Sequence, residues 1–235
     1  MDIPVLYEDE KFLILNKPAG LPVQGGKGVR VSLDSLLAQN YKERPLLVHR
    51  LDKDTSGVIV TAKTKESASL CSVFFSARQK ELNKTYIAFC SGILDTKGII
   101  SEKLVIKGRE LKAETTYKTL ANLQELLLPD SGKPADSISL SLAEIKPSTG
   151  RMHQIRRHLA QSGHPILGDD KYGNFALNKK IKKALGLKQL FLHAYSIFLP
   201  PLLVKGGLEI SAPLPDYFLE LMEKTGIKYH QFTLV

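Results

Sequence analysis

Val48–Lys63 reads VHRLDKDTSGVIVTAK. Two opposite charges, Arg50 and Asp52, stand just before a turn-forming Thr55–Ser56–Gly57, and the β-branched run Val58–Ile59–Val60–Thr61 that follows predicts a buried strand. A carboxylate held at the mouth of a rigid strand is well placed for chemistry. The plainer reading of an Arg-x-Asp is an ion pair capping a strand, which on its own contributes little.

Working outward, Pro4–Glu8 and Phe12–Asn16 flank an Asp–Glu–Lys turn and predict a hairpin. Lys17–Gly20 and Gln24–Gly28 punctuate the chain as loops; the latter lacks the spacing and Gly-Lys-Ser/Thr ending of a phosphate loop. Leucines at 33, 36 and 37 behind Ser32 predict a short capped helix. Thr64 caps a helix running to about Gln79, with Leu70, Val73, Phe74 and Ala77 inward. Lys84–Cys90 alternates as a strand, Ile99–Glu125 as antiparallel strands with one solvated face, and Ile138–Ile145 as a strand with leucines inward. Pro129–Asp136 reads as a loop tip.

Met152–Gln161 predicts a helix with Met152, Ile155 and Leu159 as its apolar stripe and His153, Arg156, Arg157 and His158 on the opposite faces. A lysine-rich segment, Asn178–Lys188, follows; Phe191–Leu199 and Leu208–Ser211 read as strands and Pro215–Lys224 as a terminal helix. Strands dominate, helices intervene irregularly and no repeat is present. The pattern is that of a single α+β domain over 1–235, with a large mainly antiparallel, mixed sheet flanked by helices.

The charge narrows the function. Thirty-three Lys and Arg against twenty-four Asp and Glu leave a net +9, which favours a polyanionic partner such as nucleic acid or an anionic membrane surface, the plainer reading being a merely basic soluble protein. The first residues lack the basic and apolar regions of a signal peptide, and no apolar run has membrane-spanning length. Cys71 and Cys90 show neither CxxC nor zinc-ligand spacing and read as reduced buried thiols. A cytoplasmic protein without membrane association is the expectation.

Asp52 is the sharpest chemical candidate, because Arg50 and the arginines at 151, 156 and 157 could hold it as a carboxylate, a nucleophile or base rather than an acid. His49–Arg50 begins like a kinase catalytic loop, but the order is His-Arg-Leu-Asp, and neither a glycine-rich loop nor an Asp-Phe-Gly accompanies it. Arg151–His158, RMHQIRRH, holds three arginines and two histidines in eight residues. Repeated choice of the guanidinium fork suits phosphate or carboxylate recognition, whereas a merely solvated face is usually lysine-rich. No H-E-x-x-H spacing is present and the arginines would repel a cation, so no metal is expected.

His49–Gly57 (HRLDKDTSG), Thr149–Arg156 (TGRMHQIR) and Gly163–Asp169 (GHPILGD), with Asn16–Gly20 (NKPAG) and Lys84–Tyr86 (KTY), together resemble the RluA-type family of RNA pseudouridine synthases. The resemblance runs from about Glu8 to Pro200, with the motifs in the family's order. It implies a pseudouridine-synthase fold with a central active-site cleft and an enzyme that detaches uracil from ribose, turns it and rejoins it through carbon 5, with no cofactor and no metal. Carried over by motif, Asp52 is the catalytic carboxylate, Arg156 its partner, and Tyr86 the aromatic packed against the target base; Arg50 fills the stack vacated by the flipped nucleotide. His49, Thr55, Arg151, His153 and Gln154, in the same motifs, are the expected RNA-binding residues. Without the resemblance, a strand tyrosine such as Tyr86 reads as core.

The expected partner is structured RNA, a tRNA or rRNA stem-loop, gripped by the lysines at 179–188 and the cations at 103–118. A chain that starts directly with the catalytic domain, without an N-terminal S4-type module, and a monomer are the expectations. Two other classes remain to be separated by experiment: an RNA-binding or chaperone-like protein with dispensable chemistry, and a nucleoside hydrolase releasing free uracil.

Overall fold

The computed structural model describes residues 2–76, 82–130, 133–186 and 188–228. The chain opens with a hairpin, β1 (Val5–Glu8) and β2 (Phe12–Lys17), then α1 (Leu33–Asn40), β3 (Leu46–Leu47), β4 (Ser56–Ala62) and α2 (Lys65–Ser76). β5 (Lys84–Ser91), β6 (Lys97–Ile100), the small hairpin β7 (Leu104–Ile106) and β8 (Arg109–Leu111), and the long pair β9 (Thr115–Asp130) and β10 (Lys133–Pro147) form the middle of the chain. α3 (Gln154–Gln161), α4 (Phe175–Leu185), β11 (Leu192–Leu199), β12 (Leu208–Ser211) and α5 (Asp216–Thr225) complete it.

Ten of these strands make one sheet in the order β1-β2-β4-β11-β5-β10-β9-β6, with β3 beside β4 and β12 beside β11. Every pairing is antiparallel except β4 with β11, which run parallel for two residue pairs, His193 with Ser56 and Ala194 with Gly57. That short contact joins the two halves of the sheet. Gly57 is required there: its φ is +108°, and a Cβ would collide with the Ala194 carbonyl. One register row crosses the sheet through this point, Lys17, Gly57, Ala194, Tyr86, Ile145 and Tyr117, and two of its members, Lys17 and Tyr86, recur in the site described below.

The apolar patterning explains the layers. The fully buried β4 run Val58–Ala62 packs α2 against one face and α1 against the other, while the β5–β10–β11 half is covered by α3, α4 and α5. Ser32 caps α1 in a reciprocal box with Ser35, and the Thr64 hydroxyl accepts from the Ser67 N–H at the start of α2.

Three readings of the sequence need correction. On α2 the inward side chains are Ser67, Cys71 and Phe74; Leu70 and Val73 are exposed, and Ala77 and Gln79 lie outside the described residues. The β9 and β10 strands continue through most of Pro129–Asp136, pairing Asp130 with Lys133 and Leu128 with Asp136, so only residues 131–132, which lie outside the described residues, separate them. The expected helix from Met152 begins only at Gln154, leaving Met152 exposed ahead of it, while Arg156 and His158 on α3 are buried, the reverse of what charge alone suggests. Each buried polar group is satisfied: His158 hydrogen-bonds Thr115 Oγ1 and the Glu102 carbonyl, and Arg156 is fully engaged by carboxylates.

Candidate active site

Asp52 sits in the loop entering β4, on the wall of a cleft of about 890 Å³. The loop is pinned from below. Lys17, fully buried, donates from Nζ to the carbonyls of Pro18, Leu21 and Lys53, each at 2.9 Å, and the Lys53 carbonyl also accepts the Gly20 N–H at 3.0 Å. Burial lowers the Lys17 ammonium to about 8 against the pull of Asp54 and Asp52. The Asp52 carbonyl accepts the Thr55 N–H at 3.2 Å, closing the turn.

Arg156, from the first turn of α3, reaches across 104 residues of sequence to place Nη1 3.2 Å from Asp52 Oδ2. Its other edge is a bidentate fork on Asp169, with Nε to Oδ2 and Nη2 to Oδ1 both at 2.8 Å, and Nη2 lies 3.4 Å from Asp170. Burial alone would push the Asp169 carboxyl up, but the Arg156 fork and the N–H groups of Tyr172 and Lys171 outweigh it and hold it below the usual range. Burial likewise disfavours the guanidinium charge, and Asp169 and Asp52 more than offset it.

His153 occupies the residue before α3 with φ 54°, a left-handed conformation that is rare for a non-glycine and costs about 1–3 kcal/mol. The strain aims its ring into the cleft. Nε2 lies 3.7 Å from Asp52 Oδ1, and Nδ1 hydrogen-bonds the Tyr172 hydroxyl at 3.0 Å, while the Tyr172 ring lies 5.4 Å beneath the Arg156 guanidinium. Burial lowers the His153 imidazole, with Arg156 and Lys171 adding to the effect and Asp52 and Asp169 opposing it. Asp52 therefore has one oxygen facing an arginine and the other facing an imidazole.

Tyr86 projects from β5 into the same cleft, its hydroxyl raised far above the ordinary tyrosine value by burial and by the Asp52 charge. Arg50 is exposed at the rim. The structure thus brings Asp52, Arg156, Tyr86, Arg50 and His153 around one cleft.

The other expected RNA contacts sit differently. His49 also lines the cleft, but its Nε2 accepts the Val60 N–H at 2.9 Å and its ring stacks on Phe75 at 4.2 Å; burial, aided by Lys84, pushes it down to about 3. Thr55 is buried in the turn. Gln154 donates to the Glu114 carbonyl and Thr115 Oγ1 and accepts from Thr149 Oγ1 and the Arg151 N–H. Its amide is thereby used up within the protein, and its place is to hold the 149–151 turn. Arg151 donates from Nε to the Lys112 carbonyl at 3.4 Å and does not line the cleft.

Sequence reasoning missed Tyr172 and the roles of Asp169 and Lys17. Asp169 ends the GHPILGD motif and Tyr172 follows in a turn-rich stretch, neither with a sign of its partner, and a lysine beside Pro-Ala-Gly gives no sign of being buried. Among the described residues no cluster of His, Cys, Asp and Glu has the makings of a metal site.

Comparison with known proteins agrees with this geometry. The family described as RNA pseudouridylate synthase matches residues 11–161. A ribosomal large subunit pseudouridine synthase C of Buchnera aphidicola is 39% identical over 230 residues, covering 91% of this chain and 68% of the relative. A tRNA pseudouridine synthase C of Haemophilus ducreyi is 32% identical and covers 99% of both chains. Among solved structures, human RNA pseudouridylate synthase domain containing 4 superimposes with a TM-score of 0.74 at 26% identity, covering 96% of this chain and 94% of the other. With the cleft, the paired charges and these relatives in agreement, the chain belongs to the RNA pseudouridylate synthase family, and its activity is RNA pseudouridine synthesis.

Proposed function

We propose that this enzyme isomerises a uridine in a tRNA or rRNA stem-loop, with Asp52 as the reacting carboxylate. The observation that carries the reading is the Asp52–Arg156 contact at 3.2 Å inside a cleft that also holds Tyr86. Arg156 fixes Oδ2 at 3.2 Å, and Oδ1, with only the His153 imidazole 3.7 Å away, is the oxygen closer to hand for the substrate. Asp52 acts as nucleophile at the sugar or uracil carbon 6, or as base toward the ribose, and each role needs an ionised, oriented carboxylate. Tyr86 offers an apolar face for the extruded base, and Arg50 at the rim fills the gap the base leaves.

Backbone grip comes from exposed cations beside the cleft. The β7–β8 hairpin carries Lys107 and Arg109 near its tip and is tied to α3 by Arg157 Nη1 on the Val105 carbonyl at 3.0 Å and by His158 on the Glu102 carbonyl. Lys103 is partly neutralised by Glu110 at 2.8 Å, so Lys107, Arg109 and Lys112 are the hairpin's stronger phosphate contacts. The lysines of α4 extend the basic surface. The names of the relatives cover both substrate classes, one set acting on the large ribosomal subunit and one on tRNA.

We place the enzyme in the cytoplasm as a monomer. Asp52, Arg156 and Tyr86 all come from one chain, and the buried thiols Cys71 and Cys90, pushed up to about 12 by burial, suit a reducing compartment. No helix among the described residues is long and apolar enough to cross a membrane. The deciding experiment maps pseudouridines in total RNA with and without this gene. Loss of one or a few sites in tRNA or rRNA is the expected result, and an unchanged map would overturn the proposal.

A further inference from the structure

Lys84, the first residue of β5, lines the cleft together with Asp52, Tyr86 and Arg156. It stands two residues before Tyr86 on the same face of the strand, since side chains alternate along β structure. The side chain is half-buried, and its Nζ lies 4.0 Å from the Cβ position of Gly150 on the opposite wall. Among the described residues no carboxylate lies within ion-pair distance of it. Burial lowers its ammonium from the ordinary lysine value. A cation partly withdrawn from water with no anion paired to it gains when an anion arrives.

Arg156 is not free to meet that anion. Its charge is already matched by Asp52 and Asp169, with Asp170 at its edge. The lysines of the β7–β8 hairpin and of α4 are exposed, as befits phosphate contacts. Lys84 is different, because it lies beside the aromatic ring on which the base would pack.

We infer that Lys84 is a catalytic residue that stabilises the negative charge on uracil while it is detached from ribose. The inference rests on the proposed reaction at Asp52, by either route in which the sugar reacts. In both, the N1–C1′ bond breaks and its electron pair stays on the uracil ring, spread over N1 and the carbonyl oxygens. The ring turns, C5 supplies the electron pair for the new C5–C1′ bond, and the proton lost from C5 balances the one gained at N1, by exchange through Asp52 and solvent. Lys84 keeps its own proton throughout and donates hydrogen bonds to the ring oxygens when their charge is greatest.

The groups around Lys84 leave its titration visible. His49 faces it from the loop before β4 and is neutral at working pH; Tyr86 on its own strand titrates far higher; Asp52, Arg156, His153, Arg50 and Lys53 share the cleft.

The test uses the whole chain and an RNA that the wild-type enzyme modifies, comparing wild type, Lys84→Met and Lys84→Arg by single-turnover rate, RNA affinity and pH profile. Lys84→Met should lose about 100-fold or more in single-turnover rate while RNA affinity changes less than about threefold. Lys84→Arg should keep much of the rate and carry it to higher pH than the wild type, since an arginine does not deprotonate there. A Lys84→Met enzyme with the wild-type rate, or one whose loss lies in RNA affinity alone, would overturn the inference and leave Lys84 a phosphate anchor or a bystander. Should Lys84→Met fail to fold, the arginine enzyme decides: an alkaline limb unmoved from wild type overturns the inference equally. If the wild type forms no pseudouridine in any RNA, it is the proposed function that fails rather than the role of Lys84.

Discussion

Arg156 is bound more tightly to Asp169 than to Asp52: two 2.8 Å bonds in a parallel fork secure it to Asp169, against a single 3.2 Å contact to Asp52. Asp169 is in turn fixed by the N–H groups of Lys171 and Tyr172, each at 2.9 Å. The arginine is thus aimed by one carboxylate at another, and the orientation of Asp52, the proposed reacting carboxylate, is set through a fully buried residue.

Replacing Arg156 by lysine keeps a charge but loses the fork, so one of the two carboxylates must go unpaired. We expect turnover to fall about 100-fold or more with RNA affinity nearly unchanged. Single-turnover kinetics alongside filter binding checks this, and comparable losses in both would mark Arg156 as a phosphate anchor only.

Asp169→Asn should lower kcat and stability together. Asp169 is fully buried, and removing one partner of a buried, hydrogen-bonded pair typically costs about 3–5 kcal/mol. Denaturant melts measure the stability. A kcat deficit that persists under conditions where the variant is fully folded would separate the aiming of Arg156 from mere destabilisation.

Gly57→Ala tests the junction of the two sheet halves. The methyl would meet the Ala194 carbonyl at a backbone φ of +108°, and both the β4–β11 contact and the Asp52 turn depend on that approach. A loss of roughly 3–5 kcal/mol is expected, whereas Gly28→Ala, with a similar φ of +80° but open space around it, should cost distinctly less.

Beneath the active-site loop runs a buried chain of hydrogen bonds. His193 Nε2 meets the Ala212 carbonyl at 3.3 Å, its Nδ1 meets Ser56 Oγ at 2.8 Å, and Ser56 Oγ meets the Tyr217 hydroxyl at 3.0 Å. Since a carbonyl only accepts, Nε2 carries the hydrogen and Nδ1 accepts from Ser56. Burial pushes His193 down to about 4, against an ordinary 6.5 in the unfolded chain. Between those values the unfolded state binds the extra proton, so stability is complete above about pH 6.5 and falls as pH drops toward 4, by roughly 3 kcal/mol from this group. Urea melts across that range should show the loss, and His193→Gln should flatten it.

Much of this was legible before any coordinates. The β-branched run at 58–61 and the Ser32 and Thr64 caps have local signatures, and the structure bears them out. What failed has a common physical cause: residue type was used to infer exposure. The sequence pattern sets Arg156 and His158 away from the apolar stripe of their helix, yet both are buried, because carboxylates and carbonyls elsewhere in the chain make their burial tolerable. The turn-rich PDSGKPAD hid a continuing ladder, because β9 and β10 pair along almost their whole length and overcome the local preference. Asp169 and Lys17 stand in motifs that carry the family resemblance, but what they hold in place exists only through partners brought together by the fold.

The central claim is that Asp52 performs the chemistry. The most direct measurement is tritium release from RNA labelled at uracil carbon 5, comparing the wild-type enzyme with Asp52→Ala, with chromatography of the products. The wild type should release tritium and yield pseudouridine without free uracil, and the variant should release none above background. Unchanged release by Asp52→Ala, or free uracil as the wild-type product, would contradict the account.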